Sequence, residues 1–225
     1  MKTLVKLIVL CITTVCLGQN SIEKTIGEFT ELKVYDLIEV ELIKADDNKI
    51  IITGKNAAAV IVNNKNGTLK IKMTLEQAFD GNKTKVKLYY TNVDVIDANE
   101  GSNIYSNDVI KQFEIDLNAQ EGAVVEAKLD VKYVNIRSVT GGDITASGTS
   151  KNQDVSIYTG GKYNGKTLLT EYTEVSIRAA GEAYVNASKE VDAKVRAGGV
   201  IHIYGNPEQV NESRVLGGRI KRMEE

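Results

Sequence analysis

The feature that most limits what this chain can fold into is a glycine that returns at nearly constant intervals. It stands at Gly101, Gly122, Gly142, Gly161, Gly181, Gly199 and Gly218, in steps of 18 to 21 residues. Two positions after each glycine come Asn103, Val124, Ile144, Tyr163, Ala183, Ile201 and Ile220, apolar or aromatic at every place but the first. Self-similarity at a short fixed period marks a solenoid. A unit of about 20 residues is too short for helix pairs and lacks the leucine–asparagine pattern of leucine-rich repeats. It suits one coil of a parallel β-helix, with three short strands per coil, a turn at each corner and coils stacked ~4.8 Å apart. Glycine reaches positive φ without steric cost, so the seven glycines read as structural corners. Ile144, Ala183, Ile201 and Ile220 read as one inward ladder. On this register Gly165, outside the aligned corner, is expected to tolerate substitution better than Gly161.

Period-two apolarity, the strand signal, continues outside the repeat. It appears at Leu32-x-Val34, Val40-x-Leu42, Ile50-x-Ile52, Leu69-x-Ile71 and Val86-x-Leu88, and again at Ile115-x-Leu117 and Val134-x-Ile136. Residues 93–220 carry the regular repeats and residues 22–92 are less regular. Within the latter, "VIVNNKNGTLKI" fits either a hairpin around Asn66-Gly67 or two edges of an early coil. A single helical phase occurs in "TLEQAFDG", where Leu75, Ala78 and Phe79 share a face, and this turn is placed to cap the open end of the solenoid. No linker divides the chain, so residues 19–225 read as one all-β domain.

Residues 1–18 set the compartment. Lys2 and Lys6 precede an apolar run from Leu7 to Val15, and Cys16-Leu17-Gly18 forms a small-x-small cleavage site. That order describes a secretory signal peptide, removed to leave Gln19 first. The run is shorter than the ~20 residues that span a bilayer, and no later run approaches that length, so the mature chain has no transmembrane anchor. Both cysteines, Cys11 and Cys16, lie in the leader. The mature protein therefore has no disulfide and no thiol chemistry. Losing Lys2 and Lys6 takes the formal charge from −2 to −4. A mildly acidic surface gives no support to nucleic-acid binding.

The residues offer no catalytic group. Glu100 and Glu121 precede corner glycines in adjacent coils and could pair for acid–base work, but the next coil has Gly141 there, and solvated turn residues are the simpler reading. His202, the only histidine, sits mid-strand between inward Ile201 and Ile203. One histidine, no cysteine and scattered carboxylates support neither a metal site nor any cofactor. The third residue after each glycine should face outward, because strand side chains alternate. Those residues are Ile104, Val125, Thr145, Asn164, Tyr184, His202 and Lys221, with the first two coils slipped by one residue. Tyr184, His202 and Lys221 then form one outward row, the candidate ligand-binding residues.

The export signal, the "FTELKVYDLIEVEL" opening, "NGTLKIKM" and the glycine-punctuated stretches "NEGSNIYS", "TGGDITASG" and "AGGVIHIYG" together resemble the auto-transporter adhesin, head GIN domain family over Phe29 to Gly218. The resemblance implies a right-handed β-helix on the cell envelope of a Gram-negative bacterium, and it carries over no catalytic residue. An auto-transporter ends in a membrane barrel, whereas only "RIKRMEE" follows Gly218 here. The expected role is a non-enzymatic exported envelope or surface protein, periplasmic, outer-membrane associated or extracellular. Its regular face would bind an envelope protein or glycan. A polysaccharide-acting enzyme or a lectin on the same scaffold is the alternative.

Overall fold

The computed structural model describes residues 21–224, so the leader read at residues 1–18 lies outside the described residues. Strands make up 68% of the described residues and stack in parallel into a β-solenoid of about 7 turns with ~19 residues per turn, without α-helix among those residues. Among the described residues no helix is long and apolar enough to cross a membrane.

The less regular first part combines both expected arrangements. Strands β1 (Ile22–Thr25), β2 (Glu31–Val34), β3 (Glu39–Lys44), β4 (Lys49–Gly54), β5 (Val60–Lys65), β6 (Thr68–Met73), β7 (Thr84–Tyr90) and β8 (Val95–Ala98) come in that order. β2 pairs in parallel with β6 and β8, and β3 with β7, so these already belong to the coil stack. β5 folds back antiparallel on β6 around Asn66 and Gly67, both at positive φ, the geometry of a tight hairpin turn. β4 lies antiparallel on β7, and β1 antiparallel on β4, which covers the first open edge. The "TLEQAFDG" segment is only a single 3₁₀ turn, Leu75–Gln77. Its apolar residues do not cap the core: Leu75 is 90% exposed and Phe79 62%. Two turns with three apolar positions bury too little to compete with the antiparallel strands already on that edge.

The repeats follow as β9 (Asn103–Gln120), β10 (Val124–Val139), β11 (Asp143–Tyr158), β12 (Lys162–Arg178), β13 (Glu182–Val195), β14 (Val200–Tyr204), β15 (Gln209–Arg214) and β16 (Arg219–Arg222). Each of β9 to β13 runs 14 to 18 residues, because ladder hydrogen bonding carries on around the softer corners. The three sides of a coil show instead as breaks in alternation. In β10 two successive outward residues, Lys132 and Tyr133, mark one corner, and a register shift between Glu126 and Lys128 marks another.

The inward ladder runs Ile104, Val125, Ile144, Tyr163, Ala183, Ile201 and Ile220 in unbroken Cα register. All but the terminal Ile220 are buried. Burying each large aliphatic side chain favours folding by roughly 1.5–3 kcal/mol. The slip in the first coils is therefore real: Ile104 and Val125 belong to the core, and Asn103 and Val124 face out.

The same slip corrects the corner glycines. The tight corner is a pair of residues at positive φ, Glu100-Gly101, Glu121-Gly122, Thr140-Gly141 and Thr159-Gly160. Gly101 and Gly122 fill the second place of that pair, whereas Gly142, Gly161, Gly181, Gly199 and Gly218 stand one residue further on. Gly142 and Gly161 are not at positive φ. They are small because the coil below is too near: a Cβ on Gly161 would lie 2.7 Å from the Ser138 carbonyl oxygen. Gly165 is equally constrained, since a Cβ there would sit 2.6 Å from the Tyr163 ring, so the expected tolerance of Gly165 is withdrawn.

Candidate functional site

Tyr184 on β13, His202 on β14 and Lys221 on β16 are consecutive Cα partners. The three residues singled out from the sequence thus share one row. Parallel strands at ~4.8 Å place like side chains face to face, and the Tyr184 and His202 rings stack with centroids 4.5 Å apart and planes 7° from parallel. One carboxylate oxygen joins them. Glu182 Oε1 accepts from the Tyr184 hydroxyl at 2.8 Å and lies 3.1 Å from His202 Nε2. The hydrogen bond to Glu182, with burial second, raises the Tyr184 hydroxyl above its ordinary pKa. His202 faces out yet is only 9% exposed, because Tyr184 covers one face of its ring. Its Nδ1 is buried without a partner among the described residues. In this row Tyr184, Glu182 and Lys221 keep exposed surface, and His202 is packed between Tyr184 and the Glu182 carboxylate.

Glu100 and Glu121 do adjoin at stacked corners. Burial, then Asp36 and Glu121, hold the Glu100 carboxyl above the usual carboxylate range. Asp36 is itself engaged, accepting the backbone N–H of Met73 at 2.9 Å and of Phe79 at 3.1 Å. Of these carboxylates, Asp36 is the one that holds neighbouring loop backbone in place. No group of three or more His, Cys, Asp or Glu among the described residues is placed to hold a metal ion.

A second surface was not visible from the glycine register. Tyr133, Asn152 and Tyr172 are Cα partners on β10, β11 and β12, and two residues further along the same face run Asn135, Asp154 and Glu174. These side chains line an open cleft of about 370 Å³, closed at one end by Glu190 and Asp192 of β13. The tyrosines lie 39 residues apart with asparagine between them, so alignment on glycine shows no motif. The only available signal was the strand period counted from "KYVNI" and "EYTEV", where an aromatic and a polar residue alternate with inward Val134 and Thr173.

The fold and these surfaces define a class, an extended parallel β-solenoid whose outward residues repeat as ladders across successive coils. The chain belongs to the family described as putative auto-transporter adhesin, head GIN domain, whose model matches residues 28–207. Among solved structures it is similar to one named a putative adhesin from Bacteroides fragilis, with TM-score 0.83 and 19% identity over 90% of this chain and 96% of that one. It is also similar to one named a putative lipid binding protein from Parabacteroides distasonis, with TM-score 0.69 and 17% identity over 92% and 98% of the two chains. A third, named a putative adhesin from Parabacteroides merdae, gives TM-score 0.67 and 17% identity over the same shares. At these identities the likeness establishes the fold. No curated protein of described function matches the chain.

Proposed function

We propose that this protein is exported after loss of residues 1–18 and acts at the cell envelope or surface as a non-enzymatic, adhesin-like binding protein. Its partner is a protein or a glycan met by the row Tyr184, His202 and Lys221. Membership of the adhesin family supports the general role. The observation that carries the assignment of the row is the stacked Tyr184–His202 pair fixed by one Glu182 oxygen. A row already held in one geometry loses little side-chain entropy on binding, and tyrosine supplies large area at few rotatable bonds. Loss of the cysteine-containing leader leaves a chain suited to an oxidising compartment, with no thiol to protect.

Two measurements test the two halves. N-terminal sequencing of protein from its native host should begin at Gln19 or within a residue or two, and an intact Met1 would remove the export half. Pull-down of envelope material with wild type and with the Tyr184→Ala, His202→Ala double variant should show loss of capture in the variant. Equal capture by a variant with unchanged circular dichroism would remove the row.

A further inference from the structure

We propose that the cleft between Tyr133 and Tyr172 binds a single neutral hexopyranose unit of a polysaccharide. The inference takes up the glycan half of the reading above, on a different face of the solenoid.

The spacing carries it first. Tyr133 and Tyr172 stand two coils apart on one ladder, with the smaller Asn152 between them. Two strand steps separate their backbones by about 9.5 Å. A puckered sugar ring in van der Waals contact with an aromatic face on each side, at ~4 Å per contact, needs about 8–9 Å. The slot therefore matches one ring and excludes two stacked rings.

The tyrosines are braced from outside the slot. Phe113, on the coil before Tyr133, packs on it with ring centroids 5.3 Å apart at a 43° tilt. Lys189, on the coil after Tyr172, sets its ammonium 5.5 Å from the Tyr172 ring centroid while paired to Glu171 at 2.6 Å. Both supports come from the far side of each tyrosine along the stack, and the coil between them contributes Asn152, which leaves the gap open. Rings held this way act as fixed walls, as a weak-affinity glycan site needs when little energy is available for ordering loops.

The floor supplies the polar half. Along the second column Asn135 donates to Glu114 at 3.1 Å and to Asp116 at 2.7 Å, and Lys194 ties down Glu174 at 3.0 Å and Asp192 at 3.3 Å. Asp154, between them, has no side-chain hydrogen-bond or ion-pair partner among the described residues. It is a free carboxylate at the centre of the floor, flanked by the amide of Asn152, and sugar hydroxyls donate well to such an acceptor. Burial, and then the neighbouring Glu174, raise its pKa above the ordinary range.

Charge decides the sugar class. Asp154, Glu174, Glu190 and Asp192 against Lys194, with Lys189 balanced by its own partner Glu171, give the cleft a negative balance. Uronic, sialic and sulfated sugars are repelled, and uncharged hexoses meet carboxylate acceptors, the asparagine amides and aromatic faces.

The test is affinity electrophoresis of the intact protein through gels containing mannan, dextran or galactan, with polygalacturonate as the acidic comparison. At least one neutral polymer is expected to retard the protein and polygalacturonate is not. Tyr133→Ala and Tyr172→Ala should each weaken retardation at least tenfold, Asp154→Asn several-fold, and Tyr172→Phe little, because the ring face is kept. Folding of each variant is read by circular dichroism, and the Tyr172→Phe and Asp154→Asn variants leave the core intact if the alanine changes do not. Retardation by no neutral polymer, or undiminished retardation of the folded Tyr133→Ala, Tyr172→Ala variant, overturns the inference. The Tyr184→Ala, His202→Ala protein separates the two readings, since it should lose envelope capture yet run with polysaccharide as wild type does.

Discussion

Tyr163 shows how a single residue can be fixed by what surrounds it. It is fully buried in the inward ladder between Ile144 and Ala183, and its hydroxyl accepts from Gln153 Nε2. Gln153 Oε1 lies 3.3 Å from the Thr173 hydroxyl, and the Thr173 and Thr170 hydroxyl oxygens are 2.8 Å apart, so the two threonine protons alternate among these contacts. The Thr170 hydroxyl also reaches the Asn186 carbonyl at 2.8 Å, so a chain of polar groups crosses the core from coil to coil. Burial pushes the phenol well above its ordinary pKa, and it stays neutral at working pH. Tyr163→Phe is expected to cost about 1–3 kcal/mol, since Gln153 is left with a buried unpaired donor, and urea denaturation measures it. Gly165→Ala should cost about as much, because the added Cβ meets the Tyr163 ring at 2.6 Å and overpacks the core. In the double variant the costs should fall short of additive, as both act on one ring. Glu100 makes the opposite case. Its folded pKa is raised by burial, Asp36 and Glu121, so any stability it contributes is complete below its unfolded value near 4.5 and is lost as pH rises through the folded value. Glu100→Gln should therefore raise the melting temperature at pH 7 and leave it unchanged at pH 3. Equal shifts at both pH values would mean that its charge is not the cause.

At the scale of the element, the coil corner explains what the sequence disclosed and what it hid. The repeat was legible because every coil needs a compact corner at the same place, and the sequence marks it with glycine. The alignment still merged two separate needs. Gly141 sits at φ +73 with no atom within 4 Å of its Cβ position, and the equivalent place in a later coil is filled by Ala180 at φ +61. Gly142 sits at an ordinary φ, yet a Cβ there would be 2.5 Å from the Ala119 carbonyl carbon. Gly141→Ala should thus cost only ~1 kcal/mol, the strain of one left-handed residue. Gly142→Ala should cost more than twice that, because two backbones must part. Comparable losses in thermal unfolding would show that the corner is governed by φ alone. The Tyr184–His202–Lys221 row was legible from the same repeat, since register fixes which residues stack. Its Glu182 link was not, because period gives a row and not the rotamers within it. The Tyr133–Tyr172 cleft was hidden for a related reason: its walls belong to alternate coils, and only the stacking of β10 to β12 brings them together.

At the scale of the whole molecule, the two ends of the stack differ. The first edge is crossed by antiparallel β1, β4 and β5, while the last coil presents β15 and β16, each paired on one side only. Charges blunt that edge: Arg214, Arg219, Lys221 and Arg222 line it, and Arg222 meets Glu212 at 3.2 Å. Such residues discourage another strand from adding on. A solenoid is held by contacts between neighbouring coils, so its stability is a sum along the stack, and a coil with one neighbour opens before a coil with two. Hydrogen exchange should therefore find the slowest amides in β10 to β12, whose inward residues are buried, and the fastest in β15, where every residue but Val210 is exposed. Val195 and Ile201, buried under the final coil, should exchange at an intermediate rate, through opening of β15 and β16 without loss of the centre. Protection in β15 equal to that in β11 would sink this gradient. If that protection vanished on dilution, the edge would be covered by a second copy of the chain. If it did not, the coils would unfold as a single cooperative block.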